Sequence, residues 1–300
     1  MRKKIMMTGA VASTLTASTL TAGFALANQF AKKMVYREHL NKEDQGNWYE
    51  NLHAQKIKIK NHKRMFLQGY LIEKENAKRT VICLHALGKS AFSLQETVKY
   101  LQDIFENENI LMVDANAHGL SDGYIRGFGY KDIFDLMYFN TYILQKYGED
   151  HRIVMYGQGM GANTILNTSG LGKLKNVDLI ISEGAYDTVY HYLVSLCQRD
   201  TKVSKAICGP IIRKVIKDEL KYDIKKIDTV ELVKKNVIPT VYIHSKYDED
   251  VPFKMVFPLY NHDSSHKFLF PIKEKHLYEL KGQNDSYSLS LIDFVNENIK

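Results

Sequence analysis

Polar and apolar positions alternate strictly only once along the chain. From Gln55 the apolar residues fall at Ile57 and Ile59, and then at Met65, Leu67, Tyr70 and Ile72. This predicts two strands in a hairpin with Asn61-His62-Lys63 near its turn. Later apolar segments are short and continuous: Thr80 to Leu84, Ile110 to Val113, Ile153 to Tyr156, Val177 to Ser182, Ile238 to His244 and Lys267 to Phe270. Runs of that length suit parallel strands covered on both faces. Between them lie segments with helical character, at about 92–105, 130–147 and from Met160 onward, and a terminal amphipathic helix at about 285–299. Residues Ile133, Leu136, Met137, Ile143 and Leu144 share one side of the second. Strands alternating with helices at this spacing predict an α/β fold with a mostly parallel sheet.

Two intervals break the rhythm. Residues 187–235 are rich in lysine and lack a strong buried strand, which predicts a helical cap over the C-terminal edge of the sheet. At the other end, Arg2, Lys3 and Lys4 precede a weakly apolar stretch from Ile5 to about Ala27, where Ala25-Leu26-Ala27 resembles an export cleavage site. Residues 1–27 therefore read as a signal peptide or a membrane anchor, and a helix packed on the domain is a third reading. The first two place the chain outside the cytoplasm, either extracellular or membrane-anchored. Residues 28–54 read as a connecting helix or linker, and residues 55–300 as the globular domain.

The apolar fraction of 45% supports a substantial core. The net charge of +7 comes from lysines spread over the chain. No zinc-finger or RNA-binding signature accompanies it, so a nucleic-acid partner is not expected; the charge reads as solvated lysine surface, with a weak attraction to anionic lipid or cell-wall polymer as the alternative. Cys83, Cys197 and Cys208 lack metal-ligand spacing, so neither a metal nor an organic cofactor is implied. Cys83 reads as a buried small hydrophobe, and pairing of Cys197 with Cys208 stays open.

Candidate chemistry collects where the buried strands end, which is where open α/β sheets place their sites. The run Ile153 to Tyr156 enters Gly157-Gln158-Gly159-Met160-Gly161, and a helix follows. Strand, tight glycine turn and helix make a nucleophile elbow, G-x-S-x-G, except that Gly159 stands where the serine belongs. Other strands end in His85-Ala86-Leu87-Gly88, in Asp114 to Gly123, and in a segment from His244 through Asp248 to Pro252. His276 follows the last strand.

In that order and at that spacing, these motifs resemble the α/β-hydrolases. The resemblance extends to the bacterial serine-hydrolase branch that carries an N-terminal hydrophobic segment, related to serine aminopeptidases and esterases, and covers residues 55 to 300. It implies a triad with Gly159 at the nucleophile position, Asp248 as acid and His276 as base, with Asp250 as an alternative acid. It implies an oxyanion hole formed by the backbone N–H of Met160 and an N–H at Ala86 or Leu87. His85 and His118 read as loop-structuring residues.

Gly159 has no atom able to form an acyl-enzyme. Three functions follow. One is a hydrolase-fold protein that binds an acyl, ester or peptide-like ligand without covalent catalysis. Another is a working hydrolase that uses a water directed by His276, or that normally carries serine at 159. The third is a cell-surface interaction protein that uses its lysine-rich cap.

Overall fold

The computed structural model describes residues 20–37, 44, 46–276 and 286–299. Eight strands form one sheet: β1 (Gln55–Lys60), β2 (Phe66–Ile72), β3 (Arg79–Leu84), β4 (Asn109–Val113), β5 (Arg152–Gln158), β6 (Val177–Glu183), β7 (Thr240–Ser245) and β8 (Lys267–Ile272). Their order is β1-β2-β4-β3-β5-β6-β7-β8. The expected hairpin pairs β1 with β2 antiparallel, and β2 runs antiparallel to β4. From β4 to β8 every pairing is parallel.

The continuous apolar runs are explained by two covered faces. Along β3 and β5, Val81, Cys83, Val154 and Tyr156 point to one side. There they pack on Val98 and Leu101 of α2 (Gln95–Ile104) and on Leu291, Phe294 and Val295 of α9 (Ser286–Asn298). The residues between them, Ile82, Leu84, Ile153 and Met155, point to the other side. That face is covered by α3 (Asp132–Tyr147), α4 (Met160–Gly170), α7 (Thr229–Val233) and α8 (Val256–His262). The period-two side-chain alternation of a strand thus sorts one apolar run into two cores.

A third core lies outside the sheet. Helices α5 (Val189–Thr201) and α6 (Lys205–Leu220) form most of the cap, and a helix over residues 20–35, α1, packs on them. Ala27, Phe30, Ala31 and Val35 of α1 are buried in that cluster. Gly23 of α1 faces Val203 and Ile207 at the start of α6. Backbone ties continue beyond the helix: Arg37 donates to the carbonyls of Gly119 and Ser121, and Tyr36 bridges to Ile125. Trp48, inside the stretch expected as a linker, is buried against Tyr70 and Phe92. Among the described residues no helix is long and apolar enough to cross a membrane. Residues 1–19, most of the segment expected as a signal or anchor, lie outside the described residues. Cys83, Cys197 and Cys208 are buried free thiols.

Candidate active site

The elbow forms as the glycines predict. Gly159 caps α4 with φ 50° and ψ −111°, a backbone conformation unfavourable for any residue with a side chain. Its N–H donates to the carbonyl of Glu183 at 2.9 Å, and its carbonyl accepts from Asn163 at 3.0 Å. The flanking glycines are needed for space. A Cβ on Gly157 would lie 2.6 Å from the Ala162 nitrogen, and one on Gly161 would overlap the Leu84 carbonyl. At Gly159 the tightest neighbour of a Cβ would be Ala86 Cβ at 3.3 Å. The turn is therefore shaped for a side chain pointing into the cleft, and none is present.

The cleft brings together the residues expected to act. Ala86, Leu87, Gly159, Asp248 and His276 line one opening of about 110 Å³, along with Gln158, Glu183, Tyr192 and Ser245. Met160 is the first residue of α4, where backbone N–H groups lack an intrahelical acceptor. Ala86 faces the elbow from the loop after β3.

Glu183 is hydrogen-bonded to His276. His276 Nδ1 lies 3.3 Å from Glu183 Oε1. The buried Glu183 side chain also accepts from the Tyr156 hydroxyl at 2.5 Å and from Gln158 Nε2 at 3.5 Å. A His that donates Nδ1–H to a carboxylate carries its lone pair on Nε2, the tautomer a general base requires. Asp248, expected in the orienting role, lines the same cleft but spends one carboxylate oxygen on its own loop. Its Oδ1 accepts the N–H groups of Asp250 and Val251, each at 2.8 Å. Its Oδ2 lies 4.0 Å from His244 Nε2, and that nitrogen donates to the Val251 carbonyl at 2.8 Å. Burial raises the Asp248 pKa, against the lowering effect of those backbone donors. Asp250, the alternative acid, is exposed and pairs with Arg199 of the cap. Glu183 is a cleft carboxylate that the sequence motifs did not single out.

His85 and His118 tie together the loops after β3 and β4. His85 Nδ1 donates to the Ala86 carbonyl at 2.8 Å, while Nε2 accepts the Ala115 N–H at 3.1 Å. His118 mirrors it, with Nδ1 at 2.9 Å from the Asn116 carbonyl and Nε2 accepting from Gly88 N at 3.1 Å. Burial lowers the pKa of His85 to about 4 and that of His118 well below its ordinary value. Both are neutral at pH 7. Among the described residues, no group of three or more His, Cys, Asp or Glu could hold a metal.

The arrangement sets a histidine hydrogen-bonded to a buried carboxylate beside a tight turn at a helix N-terminus, with no side chain at residue 159. Comparison with known proteins agrees at the level of the scaffold. No family model matches the chain. An uncharacterized Bacillus subtilis protein, YqkD, is similar at 21% identity over 98% of this chain and 97% of its own. The esterase Pf2001 of Pyrococcus furiosus superposes with a TM-score of 0.69 at 18% identity, covering 89% of this chain and 98% of the esterase. A lipase-esterase related protein from Clostridium acetobutylicum superposes with a TM-score of 0.55 at 19% identity, covering 78% and 99%. Sheet order, elbow geometry and these superpositions agree that the chain has the α/β-hydrolase fold.

Proposed function

We propose that this protein binds an acyl, ester or peptide-like small molecule in the cleft at the elbow and has lost conventional serine catalysis. The observation that carries this reading is Gly159 at φ 50° and ψ −111° inside an otherwise complete elbow. Loss of the nucleophile from such a unit costs about 10⁶-fold in kcat, and roughly 10³–10⁴ over water persists from binding and the oxyanion hole. Binding can therefore outlast covalent chemistry. The substrates of esterase-like neighbours make a carbonyl compound the natural ligand class, its oxygen directed to the N–H of Met160 and of Ala86 or Leu87. Ser245 also lines the cleft, but it lies at the end of β7, and its hydroxyl accepts the Tyr247 N–H at 3.2 Å. The test combines fluorophosphonate labelling with thermal-shift measurements against short esters, thioesters and blocked dipeptides. We expect no labelling and stabilisation by at least one ligand class. Labelling at Ser245 or any other cleft residue would overturn this reading.

A second reading is supported by the hydrogen bond between His276 and Glu183. A water in the space left by the missing side chain, deprotonated by His276, would attack a bound carbonyl directly. Turnover of an activated ester that disappears in His276→Ala, with no covalent intermediate in single-turnover experiments, would favour this reading over binding alone.

We also infer that the N-terminus holds the domain at a membrane. This rests on the apolar stretch that follows Arg2-Lys3-Lys4 and on Leu20, Phe24 and Leu26, which are exposed on α1. Flotation of the full chain with phosphatidylglycerol vesicles tests it. Recovery only in the soluble fraction would refute it.

A further inference from the structure

The larger concavity lies away from the elbow cleft. The turn between β1 and β2 contributes Asn61, His62, Lys63 and Met65. The segment after β4 and the first turn of α3 contribute Tyr124, Tyr130, Lys131 and Phe134. The space they enclose is about 490 Å³, against about 110 Å³ at the elbow. Pockets that hold small organic ligands span about 300–1,000 Å³.

Its walls are aromatic, and Lys63 and Lys131 stand among them. Tyr124 is 64% exposed, Phe134 53% and Tyr130 39%. Rings of that size are seldom left in water together unless something covers them. His62 stacks on Tyr138 at 6.1 Å and meets Phe134 edge-on at 5.7 Å, so this wall is held flat before any ligand arrives. Lys63 and Lys131 have no salt-bridge partner within 4.0 Å among the described residues. Lys131 lies over the Tyr222 ring at 5.6 Å, and its ammonium is disfavoured by burial and by the nearby charge of Lys63, and favoured by Asp132. The carboxylate on the same wall, Asp135, is buried and held by Asn61 Nδ2 at 3.0 Å, and the charge of Lys63 also acts on it. Asp132 acts on Lys131 as a neighbouring carboxylate, but it accepts the Gly129 N–H at 2.7 Å and burial raises its pKa to about 7, which weakens its charge there. An anion placed between the two lysines would relieve their repulsion, and a flat body attached to it would cover the rings.

We infer that this concavity is a second ligand site, selective for a small aromatic molecule with one acidic group. It is connected to the elbow through the chain that forms it. The Asn167 side chain of α4 donates to the Gly129 carbonyl at 3.0 Å, and a Cβ on Gly129 would lie 3.3 Å from the Met160 carbonyl. The Tyr222 hydroxyl of the cap donates to the Gly127 carbonyl at 3.0 Å. The segment that binds the aromatic acid thus touches both the oxyanion helix and the cap. The inference does not depend on what the elbow cleft binds.

The experiment titrates the full chain with 1-naphthoate and with neutral 1-naphthalenemethanol, observed by ligand NMR and calorimetry. Naphthoate is expected to bind saturably and about tenfold more tightly than the alcohol, the scale of two partly exposed ion pairs. Lys63→Gln combined with Lys131→Gln is expected to abolish that preference while leaving the alcohol unaffected. Phe134→Ala is expected to weaken both probes. These side chains are exposed or lie at the rim, so circular dichroism and Tm should match wild type, which separates lost binding from lost fold. Equal affinity for the two probes, no saturable binding by wild type, or a preference that survives the double substitution would each overturn the inference.

Discussion

His276 Nδ1 and Glu183 Oε1 lie 3.3 Å apart, although 93 residues separate them in the chain. This pair places Glu183, at the C-terminal end of β6, against the ring of His276. Asp248 also lines the cleft, and its Oδ1 accepts two backbone N–H groups of the turn at 248–251.

The pair can be tested in a protein given back its nucleophile. Gly159→Ser should gain fluorophosphonate labelling and measurable esterase activity, because the partners and the turn are in place. It should also lose about 1–3 kcal/mol of stability, since serine would adopt a φ of 50° that glycine tolerates freely. Ester turnover and chemical denaturation check the two halves. A well-folded Gly159→Ser with no labelling would mean that His276 does not reach the restored hydroxyl.

In that background the two carboxylates should separate. Glu183→Gln should reduce kcat by about 10²–10⁴, the range expected when a general base loses its orienting charge. Asp248→Asn should act mainly on stability, because its oxygen holds two backbone N–H groups. Equal kcat losses in both variants, or a larger one in Asp248→Asn, would return the acid role to Asp248.

Glycine at the turn is needed on steric grounds at two positions that carry no chemistry. Gly157→Ala and Gly161→Ala should each destabilise by about 1–3 kcal/mol or more, because the added methyl meets backbone atoms that cannot rotate away. Thermal melts check this. Wild-type stability in either variant would show that the elbow backbone is free to shift.

The cap is fastened to the turn that carries Asp248. Arg199 of α5 donates to the Glu249 carbonyl at 3.0 Å and pairs with Asp250. The pair is exposed, so Arg199→Ala should change stability by no more than about 0.5 kcal/mol. Faster amide exchange over residues 189–201 and 248–251 is nevertheless expected, because the contact links two surface segments above the cleft. Unchanged exchange would remove Arg199 as a fastener.

The sheet and the elbow were legible in the sequence because their signals are local. Short apolar runs, and glycines at 157, 159 and 161, need no knowledge of distant residues. Glu183 was not legible in the same way. It looks like a polar residue ending a strand, and only the closing of β6 beside β5 brings it under a histidine beyond β8. α1 was legible only as one of three readings of its segment. Gly23, Ala27, Phe30 or Ala31, and Val35 form a stripe at helical spacing, but small residues give that stripe little hydrophobic contrast. Its docking surface on the cap exists only in three dimensions.

Buried histidines should appear in the pH dependence of stability. His85 binds its proton with a pKa near 4 in the folded protein, against an ordinary 6.5. Between those values the unfolded chain holds the proton and the native state does not. Its contribution is therefore fully present above pH 6.5 and is lost as pH falls towards 4, by up to about 1.4 kcal/mol per pH unit for a single group. Asp114, raised to about 7 by burial, opposes this over the same range. The histidine is therefore isolated by difference. His85→Gln can still donate to the Ala86 carbonyl and accept from Ala115, but it has no proton to gain. Denaturant melts of both proteins at pH 7.5, 6, 5 and 4.5 should show the wild type losing stability relative to His85→Gln as pH falls. A pH-independent difference would mean that His85 titrates equally in both states, and its ring would then no longer account for the rigidity of the oxyanion loop.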